Sequence, residues 1–291
     1  MLARDSRIGD YEVLRHVANG AMSEVYEGRC AGSGRVVAVK VLHRDLCFHP
    51  DVVTRFLNEA RALDGLRHER LIALFATDTL PEGPPYMVLE WLPCSLEQAM
   101  ARAAGPVPSR VAARLIAQAA EGLAALHARG VVHRDVKPGN MLLTDEDLDR
   151  AELKLSDLGL AKVLRDKPGA PGPEVGAPLP MFPLSTANSD VLGTREYMAP
   201  EQWIRSKGVD DKADVYALGV LLFQLLTGQL PFTAASLKDW MAQHVLRSPP
   251  LDRLEGRAPR VLRELVARML SKTVAPRPTM RQVQAELTVL R

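Results

Sequence analysis

The sequence predicts an α+β fold with two lobes, a small strand-rich lobe followed by a larger lobe made mainly of helices. The first forty or so residues contain β-branched apolar runs separated by turn residues, whereas helical patterns dominate from about Leu96 onward. The chain has 291 residues, of which 47% are hydrophobic and 25% charged, so it can form a large core. We therefore expect a cleft between a small and a large lobe.

The front of the chain contains the predicted strands. The turn-like segment NGAMS, residues 19–23, separates two strand candidates, and VVAVKVL, Val36–Leu42, is β-branched and mostly apolar. Alternation along that last strand places Ala38 and Lys40 on one face. A small apolar residue beside a lysine suits a flat base packed over the strand, with the ammonium group near its phosphates. An ordinary charge near a strand end is the other interpretation of Lys40.

A helix is predicted after these strands, beginning near Pro50 and ending near Gly65. Glu59 lies at the border of its apolar stripe, one helical turn from two apolar residues. Its carboxylate either pairs with Arg55 on the surface or points inward to a cation. From the residues alone, the pair with Arg55 is favoured.

Two apolar helices and one unusual segment mark the back of the chain. RVAARLIAQAAEGLAALHARG, residues 110–130, ends in Arg129 and Gly130 as a helix terminus should. VYALGVLLFQLL, residues 215–226, is too short to cross a bilayer and predicts a buried core helix. KPGAPGPEVGAPLPMFP, residues 167–183, is rich in proline and glycine and predicts a long loop.

Charge and cysteine usage narrow the class of protein. The formal net charge of +2 gives no overall electrostatic case for binding nucleic acid or an anionic membrane. Cys30, Cys47 and Cys94 lie far apart and match no zinc spacing, so we expect reduced thiols in a cytoplasmic protein. The first residues lack the apolar core of a signal peptide, and no membrane span is expected.

The segment VVHRDVKPGNMLL, residues 131–143, places several polar groups between two apolar flanks. The carboxylate of Asp135 can accept a hydroxyl proton, Lys137 can neutralise a phosphate, and the amide oxygen of Asn140 can ligate a hard cation. Asp157 follows the strand-like LKLS and precedes a flexible glycine, so it offers a second oxygen ligand for Mg²⁺. Turn formation would explain Asn140 or Asp157 singly, but it explains the whole set poorly.

These motifs together resemble a eukaryotic-type protein kinase and are most similar to the bacterial Ser/Thr kinases of that family. The resemblance runs in family order through VAVK, MVLEWL, HRDVKPGN, DLG, GTREYMAPE, DVYALG and RPT. It implies a bilobal, protein-kinase-like domain over residues 11–291. The N-lobe, residues 11–91, would be a small antiparallel sheet with one key helix, and the C-lobe, residues 92–291, mainly α-helical. The activation segment would span residues 157–201 and contain the insertion 167–183.

The same resemblance implies the roles of a Ser/Thr protein kinase that uses ATP and Mg²⁺, with Mn²⁺ as an alternative. Lys40, positioned by Glu59, would hold the α- and β-phosphates, and Asn140 and Asp157 would hold the metal ion. Asp135 would receive the proton of the substrate hydroxyl, and Lys137 would steady the γ-phosphate. The residues expected around ATP are Val17, Gly20, Val25, Ala38, Lys40, Glu59, Glu90, Leu92 and Leu142. Supporting roles fall to a buried pair of Glu201 with Arg277 and to Asp214 bracing the catalytic loop.

The resemblance also implies regulation by phosphorylation. Arg134 precedes the catalytic aspartate, where the family often uses an arginine to bind a phosphate on the activation loop. Ser185, Thr186 and Ser189 are the candidate acceptors. We expect protein substrates, no nucleic acid partner, and a transient homodimer for trans-autophosphorylation.

Three departures from the family keep other functions open. Ala18 and Ser23 stand where the family has its first and third loop glycines, and Leu158 replaces the usual phenylalanine of DFG. A pseudokinase that serves as a binding module is one alternative, supported only by the altered loop and the long insertion. A small-molecule kinase of related fold is another, and GTREYMAPE speaks against it. Since every residue needed for the chemistry is present, the sequence favours an active enzyme.

Overall fold

A computed structural model of the chain describes residues 6–81, 83–103, 105–158, 162–163, 195–204 and 210–290. These residues divide into two compact units. The strand unit consists of the described residues of 1–102 and 138–160, and the helical unit consists of those of 103–137 and 161–291. The predicted insertion 167–183 lies entirely outside the described residues, and so does most of the predicted activation segment.

The described residues form eleven strands and eight α-helices. The strands are β1 (Arg7–Ile8), β2 (Tyr11–Asn19), β3 (Ser23–Cys30), β4 (Val36–Leu42), β5 (Leu74–Thr79), β6 (Pro85–Glu90), β7 (Cys94–Ser95), β8 (Val131–Val132), β9 (Met141–Leu143), β10 (Leu153–Leu155) and β11 (Lys162–Val163). The helices are α1 (Pro50–Asp64), α2 (Leu96–Ala103), α3 (Ser109–His127), α4 (Pro200–Ile204), α5 (Lys212–Thr227), α6 (Leu237–Leu246), α7 (Arg260–Met269) and α8 (Met280–Thr288).

A six-stranded antiparallel sheet, in the order β1-β2-β3-β4-β6-β5, forms most of the strand unit. The valines Val37, Val39 and Val41 of β4 are buried in its core. Ala38 and Lys40 lie on the opposite, half-buried face, which confirms the predicted alternation. Lys40 is opposite Val25 of β3 in the register. The small antiparallel sheet of the α+β prediction is therefore confirmed.

The helix predicted after the third long strand is α1. It begins with Pro50 in its first turn and is capped by Gly65, as the sequence predicts. Its buried residues are Phe56, Glu59, Ala60 and Leu63, so a carboxylate occupies one position of an otherwise apolar stripe. Burial of that carboxylate requires a partner.

A second, three-stranded sheet in the order β10-β9-β7 also belongs to the strand unit. The backbone N–H of Leu155 donates to the carbonyl oxygen of Arg70 at 2.8 Å, and that of Ile72 donates to the carbonyl oxygen of Leu155 at 2.9 Å. These bonds tie β10 to the segment that leads into β5. Residues 92–102 and 138–160 both belong to this compact unit, and the lobe boundary at residue 92 stays a prediction.

The helical unit is built around α3 and α5. Almost every residue of α5 is buried, which confirms the core helix predicted from VYALGVLLFQLL. At Gly219 a Cβ atom would lie only 2.8 Å from the Cβ of Met269, so glycine permits the close approach of α5 and α7. α3 ends at His127, and the predicted terminal Gly130 follows with a positive φ of 70°. No helix among the residues described is both long and apolar enough to span a membrane.

Candidate active site

Lys40 lies in a cluster of three charged residues in the strand unit. Its Nζ donates to Oε1 and Oε2 of Glu59 at 2.8 and 2.9 Å, and to Oδ1 of Asp157 at 3.2 Å. The side chain of Glu59 is only 2% exposed, whereas that of Asp157 is 43% exposed. The structure thus brings these three predicted residues together, with Glu59 pointing inward to the lysine.

The protonation of Lys40 follows from two opposing effects. Burial by itself would lower the pKa of the ammonium group, but the negative charges of Asp157 and Glu59 outweigh it, so the pKa lies above its ordinary value. Lys40 is therefore a fixed cation at neutral pH. Asp157 has a φ of 60°, in the left-handed region that residues other than glycine rarely occupy. Residues held in such backbone conformations cluster at functional sites.

Asn140 lies beside the segment that carries Asp157. It ends the short 3₁₀ helix Pro138–Asn140 and is buried. Its carbonyl oxygen accepts hydrogen bonds from the backbone N–H of Ser156 at 2.9 Å and from the Ser156 hydroxyl at 3.1 Å. The amide oxygen of Asn140 and the carboxylate of Asp157 are hard oxygen donors of the kind that Mg²⁺ takes in proteins. The two predicted metal ligands therefore suit the predicted ion in their chemistry.

An apolar patch accompanies Lys40 on the same face of the six-stranded sheet. Val25 is opposite Lys40 in the register, and Ala38 precedes Lys40 by two residues. Both side chains are only half-buried, in contrast to the fully buried valines on the other face of β4. Leu142, on β9 of the smaller sheet, is half-buried as well. Val25 and Ala38 therefore offer apolar surface without large side chains next to the fixed cation.

The other predicted ATP contacts lie at strand ends. Val17 is near the end of β2 and 37% exposed, and Glu90 ends β6 two residues before Leu92. Gly20 lies in the turn after β2, where its backbone N–H donates to the carbonyl oxygen of Ser23 at 2.8 Å. A nitrogen of the His43 ring, Nε2, lies 2.8 Å from the carbonyl oxygen of Gly20. The turn is therefore closed with a single glycine.

Asp135 and Lys137 lie together in the helical unit, in the loop that follows β8. The Nζ of Lys137 is 3.0 Å from Oδ2 of Asp135. The side chain of Lys137 is 26% exposed and that of Asp135 is 10% exposed. The pair combines a carboxylate that can accept a proton with a cation that can offset negative charge.

Asp214 fixes the backbone of the loop that carries Asp135. Its Oδ2 accepts from the backbone N–H of His133 at 2.9 Å, its Oδ1 accepts from that of Arg134 at 2.8 Å, and the His127 ring nitrogen Nε2 lies 2.7 Å from Oδ2. Burial would raise the pKa of this carboxylate, but the bond and charge of His127 and the nearby His133 and Arg134 hold it below its ordinary value. Asp214 is therefore ionised, and its carboxylate holds the backbone of this loop in place.

A family model of the protein kinase domain matches residues 11–287. The chain belongs to the protein kinase family. This kinase domain is 39% identical over 247 residues to the serine/threonine-protein kinase Pkn1 of Myxococcus xanthus, a match that covers 84% of this chain and 32% of the relative. It is 35% identical over 285 residues to pkn2 of Myxococcus xanthus, covering 96% of this chain and 32% of the relative. For PknB of Mycobacterium tuberculosis the identity is 35% over 251 residues, covering 84% and 37%.

The chain spans about a third of the length of these curated relatives. Of the predicted site residues, Lys40, Glu59, Asn140 and Asp157 belong to the strand unit, and Asp135 belongs to the helical unit together with Lys137. The candidate phosphorylation sites Ser185, Thr186 and Ser189 lie outside the described residues. Leu158, which replaces the family's phenylalanine, is 2% exposed and packs as an apolar residue.

The kinase domain also contains the expected pair of Glu201 and Arg277. Nη1 and Nη2 of Arg277 donate to the two carboxylate oxygens of Glu201 at 2.6 and 2.9 Å. Arg277 is fully buried, and it donates further to the carbonyl oxygens of Ser271 at 2.9 Å and Lys212 at 3.0 Å. The pair therefore fixes α4 against α5 and the segment before α8.

Several supporting residues of the kinase domain were missed by sequence reasoning. His127, in the last turn of α3, has its ring nitrogen Nε2 2.7 Å from Oδ2 of Asp214, a residue 87 positions later in the chain. The Tyr197 hydroxyl donates to Oε1 of Gln224 at 2.6 Å, and Nε2 of Gln202 donates to the carbonyl oxygen of Arg134 at 3.3 Å. These glutamines have no local sequence signal, because their partners lie far away in the chain.

We expect Glu201→Ala to lower the free energy of unfolding of the kinase domain by about 3 kcal/mol, because it leaves a fully buried guanidinium group without its carboxylate. Urea denaturation measures the change. Glu264→Ala is the matched control, since it removes the Arg260–Glu264 pair, whose side chains are 84% and 57% exposed. Equal, small effects of the two substitutions would contradict a structural role for the buried pair.

Proposed function

We propose that this domain is an ATP-dependent Ser/Thr protein kinase, which transfers the γ-phosphate of ATP to hydroxyl groups of proteins. The observation that carries the proposal is the contact of Lys40 with both Glu59 and Asp157, since protein kinases need this lysine–glutamate pair and this aspartate together. The names of the three curated relatives reported above, each a serine/threonine-protein kinase, support the same activity.

ATP would lie on the face of the sheet that carries Lys40. The base would pack against Val25 and Ala38 on one side and Leu142 on the other, and would bond the backbone of Glu90 and Leu92. Because the backbone N–H of Glu90 already donates to the carbonyl oxygen of Ala73 at 2.9 Å, we assign the bond of Glu90 with the base to its carbonyl oxygen. Val17 and the turn at Gly20 would cover the nucleotide.

Lys40 would bind the α- and β-phosphates through its ammonium group. Glu59 keeps both oxygens on this group, so the lysine remains oriented when a phosphate oxygen approaches. Asn140 and Asp157 would hold Mg²⁺, with Mn²⁺ as an alternative. When bound, the ion would neutralise negative charge on the phosphates.

In the transfer step, the substrate hydroxyl oxygen forms a bond to the γ-phosphorus while the bond from that phosphorus to the bridging oxygen of ADP breaks. Asp135 would accept the hydroxyl proton, and Lys137 would offset charge on the transferred group. Asp214 would keep the loop in place through its bonds to His133 and Arg134. Protein kinases gain most of their rate from such positioning and charge neutralisation.

The preference for serine and threonine rests on two residues. Lys137 follows Asp135 by two positions, as in the Ser/Thr branch of the family, and Thr194 belongs to the GT step of GTREYMAPE. Thr194 lies outside the described residues. Proteins are the proposed substrates, because the same segment forms the peptide-docking platform in the family.

We also propose that the domain is cytoplasmic and phosphorylates itself within a transient homodimer. Cys30, Cys47 and Cys94 are all free thiols, as a reducing compartment favours. Arg134, next to the catalytic aspartate, would bind a phosphate on the activation segment.

We expect Asp135→Asn to lower the turnover number for phosphorylation of a serine peptide by at least about a hundredfold, because it removes the proton acceptor. Asp147→Asn, an isosteric change at a half-exposed side chain outside the site, should leave turnover unchanged. Peptide phosphorylation and ATP turnover are measured together.

The outcomes of this assay separate the alternative functions. No turnover by the wild-type protein, equal to that of Asp135→Asn, would indicate a pseudokinase that serves as a binding module. Phosphorylation of a sugar or an antibiotic but of no protein would indicate a small-molecule kinase.

Phosphopeptide mapping of the active protein should find phosphate between Ser185 and Ser189. The reason is that Arg134 would bind a phosphate on this part of the activation segment. The inactive variant Lys40→Met is the control and should carry none there when it is produced alone. Phosphate at other positions with none between residues 185 and 189 would contradict this assignment.

A further inference from the structure

Glu90, at the end of β6, forms an ion pair with Lys154 of β10. The Nζ of Lys154 donates to both carboxylate oxygens of Glu90 at 2.8 Å. The two side chains are only 25% and 20% exposed, so water screens the pair less than it screens an ordinary surface pair. Nothing in the proposed chemistry uses the carboxylate of Glu90, because ATP would contact only the backbone of this residue.

Glu90 is fixed by its other contacts as well. Its backbone N–H donates to the carbonyl oxygen of Ala73 at 2.9 Å, and its Oε2 accepts from the backbone N–H of Ala73 at 3.3 Å. The residue is therefore bound at its main chain and at its side chain. This arrangement restricts the end of β6, where the base would bind.

Lys154 is equally constrained by its strand. Leu153 and Leu155 on either side are 0% and 1% exposed, so alternation directs Lys154 to the opposite face of β10. Leu155 is bonded to the backbone of Arg70 and Ile72, which anchors the strand. Asp157 follows Lys154 by only three residues and contacts Lys40 at 3.2 Å.

The ion pair joins two different sheets of the strand unit. β6 belongs to the six-stranded sheet and β10 to the three-stranded sheet. Glu90 lies at the end of the strand that would bind the base, and Lys154 lies on the strand that leads to a proposed metal ligand. An ordinary surface ion pair with no role would be exposed and would make a single contact. The pair of Glu90 and Lys154 is instead shielded from solvent, and both carboxylate oxygens accept from the ammonium group.

We propose that Lys154 is a positioning residue for the nucleotide: through Glu90 it fixes the base-binding end of β6 relative to the strand that carries Asp157. This inference rests on the proposed function, since it assigns a further determinant of the same ATP site. Loss of the ammonium group frees the Glu90 carboxylate and relaxes both strand ends. The affinity for ATP then falls both with and without a metal ion.

The test measures the Kd of ATP by calorimetry, once with Mg²⁺ and once with a chelator. We expect Lys154→Met to raise the Kd about tenfold in both conditions, the usual size of effect for a shielded, charge-assisted contact. Lys154→Arg should stay within about twofold of wild type, because a guanidinium group can bond both oxygens of one carboxylate. Glu90→Gln should raise the Kd as Lys154→Met does, and combining the two should add little.

Arg268→Met is the matched control. It removes the two-oxygen pair of Arg268 with Glu286 in the helical unit, so it should change thermal stability but not the Kd of ATP. A merely structural role of Lys154 would give the same pattern as this control. Glu90→Gln preserves the size of the side chain and supplies the same readout if Lys154→Met does not fold.

Two results would overturn this inference but leave the proposed function intact. One is a Kd for Lys154→Met equal to that of a wild-type protein that binds ATP. The other is a double variant whose loss equals the sum of the two single losses, because independent losses show that the residues do not act through each other. Failure of the wild-type domain to bind ATP at all would instead contradict the proposed function, and this inference with it.

Discussion

The ammonium group of Lys40 lies out of contact with most of the solvent, and its charge can be kept there only with partners of opposite charge. Glu59 and Asp157 are those partners. The requirement therefore determines three pieces of structure at once: the half-buried face of β4, the turn of α1 that presents a carboxylate inward, and the segment after β10. Together these pieces hold the cation that would bind the phosphates of ATP in the proposed function.

The helical unit also contains a buried charge that needs partners, and here the charge is negative. Asp214 is buried on α5 and is kept ionised by two backbone N–H groups and by His127. Because those N–H groups belong to the residues just before Asp135, the need to satisfy one buried carboxylate also fixes the backbone of the proposed catalytic loop. In both units a buried charge, expensive unless it is paired, orients a group that the proposed reaction uses.

Local patterns predicted much of this arrangement. The alternation of β4 placed Ala38 and Lys40 on one face, and Pro50 and Gly65 marked the ends of α1. The partner of Glu59 was not available from such patterns: the residues alone favoured Arg55, and only the resemblance to protein kinases pointed to Lys40. Glu59 is buried, so its carboxylate needs a cation inside the protein, and Lys40 on the sheet is that cation.

Partners that lie far apart in the chain could not be predicted from local patterns. Glu90 and Lys154 are 64 positions apart, and His127 and Asp214 are 87 apart, so no periodicity or spacing connects them. Residues 138–160 likewise belong to the strand unit through hydrogen bonds of β10 with residues 70–72, which no local pattern indicates. The most direct test of the central ion cluster is an NMR titration of Lys40 in protein labelled with ¹³C at lysine Cε. We expect its pKa to lie above the ordinary value of 10.5 and to fall in Glu59→Gln, whereas a pKa below 10.5 in the wild-type protein, as burial alone would produce, would contradict the account.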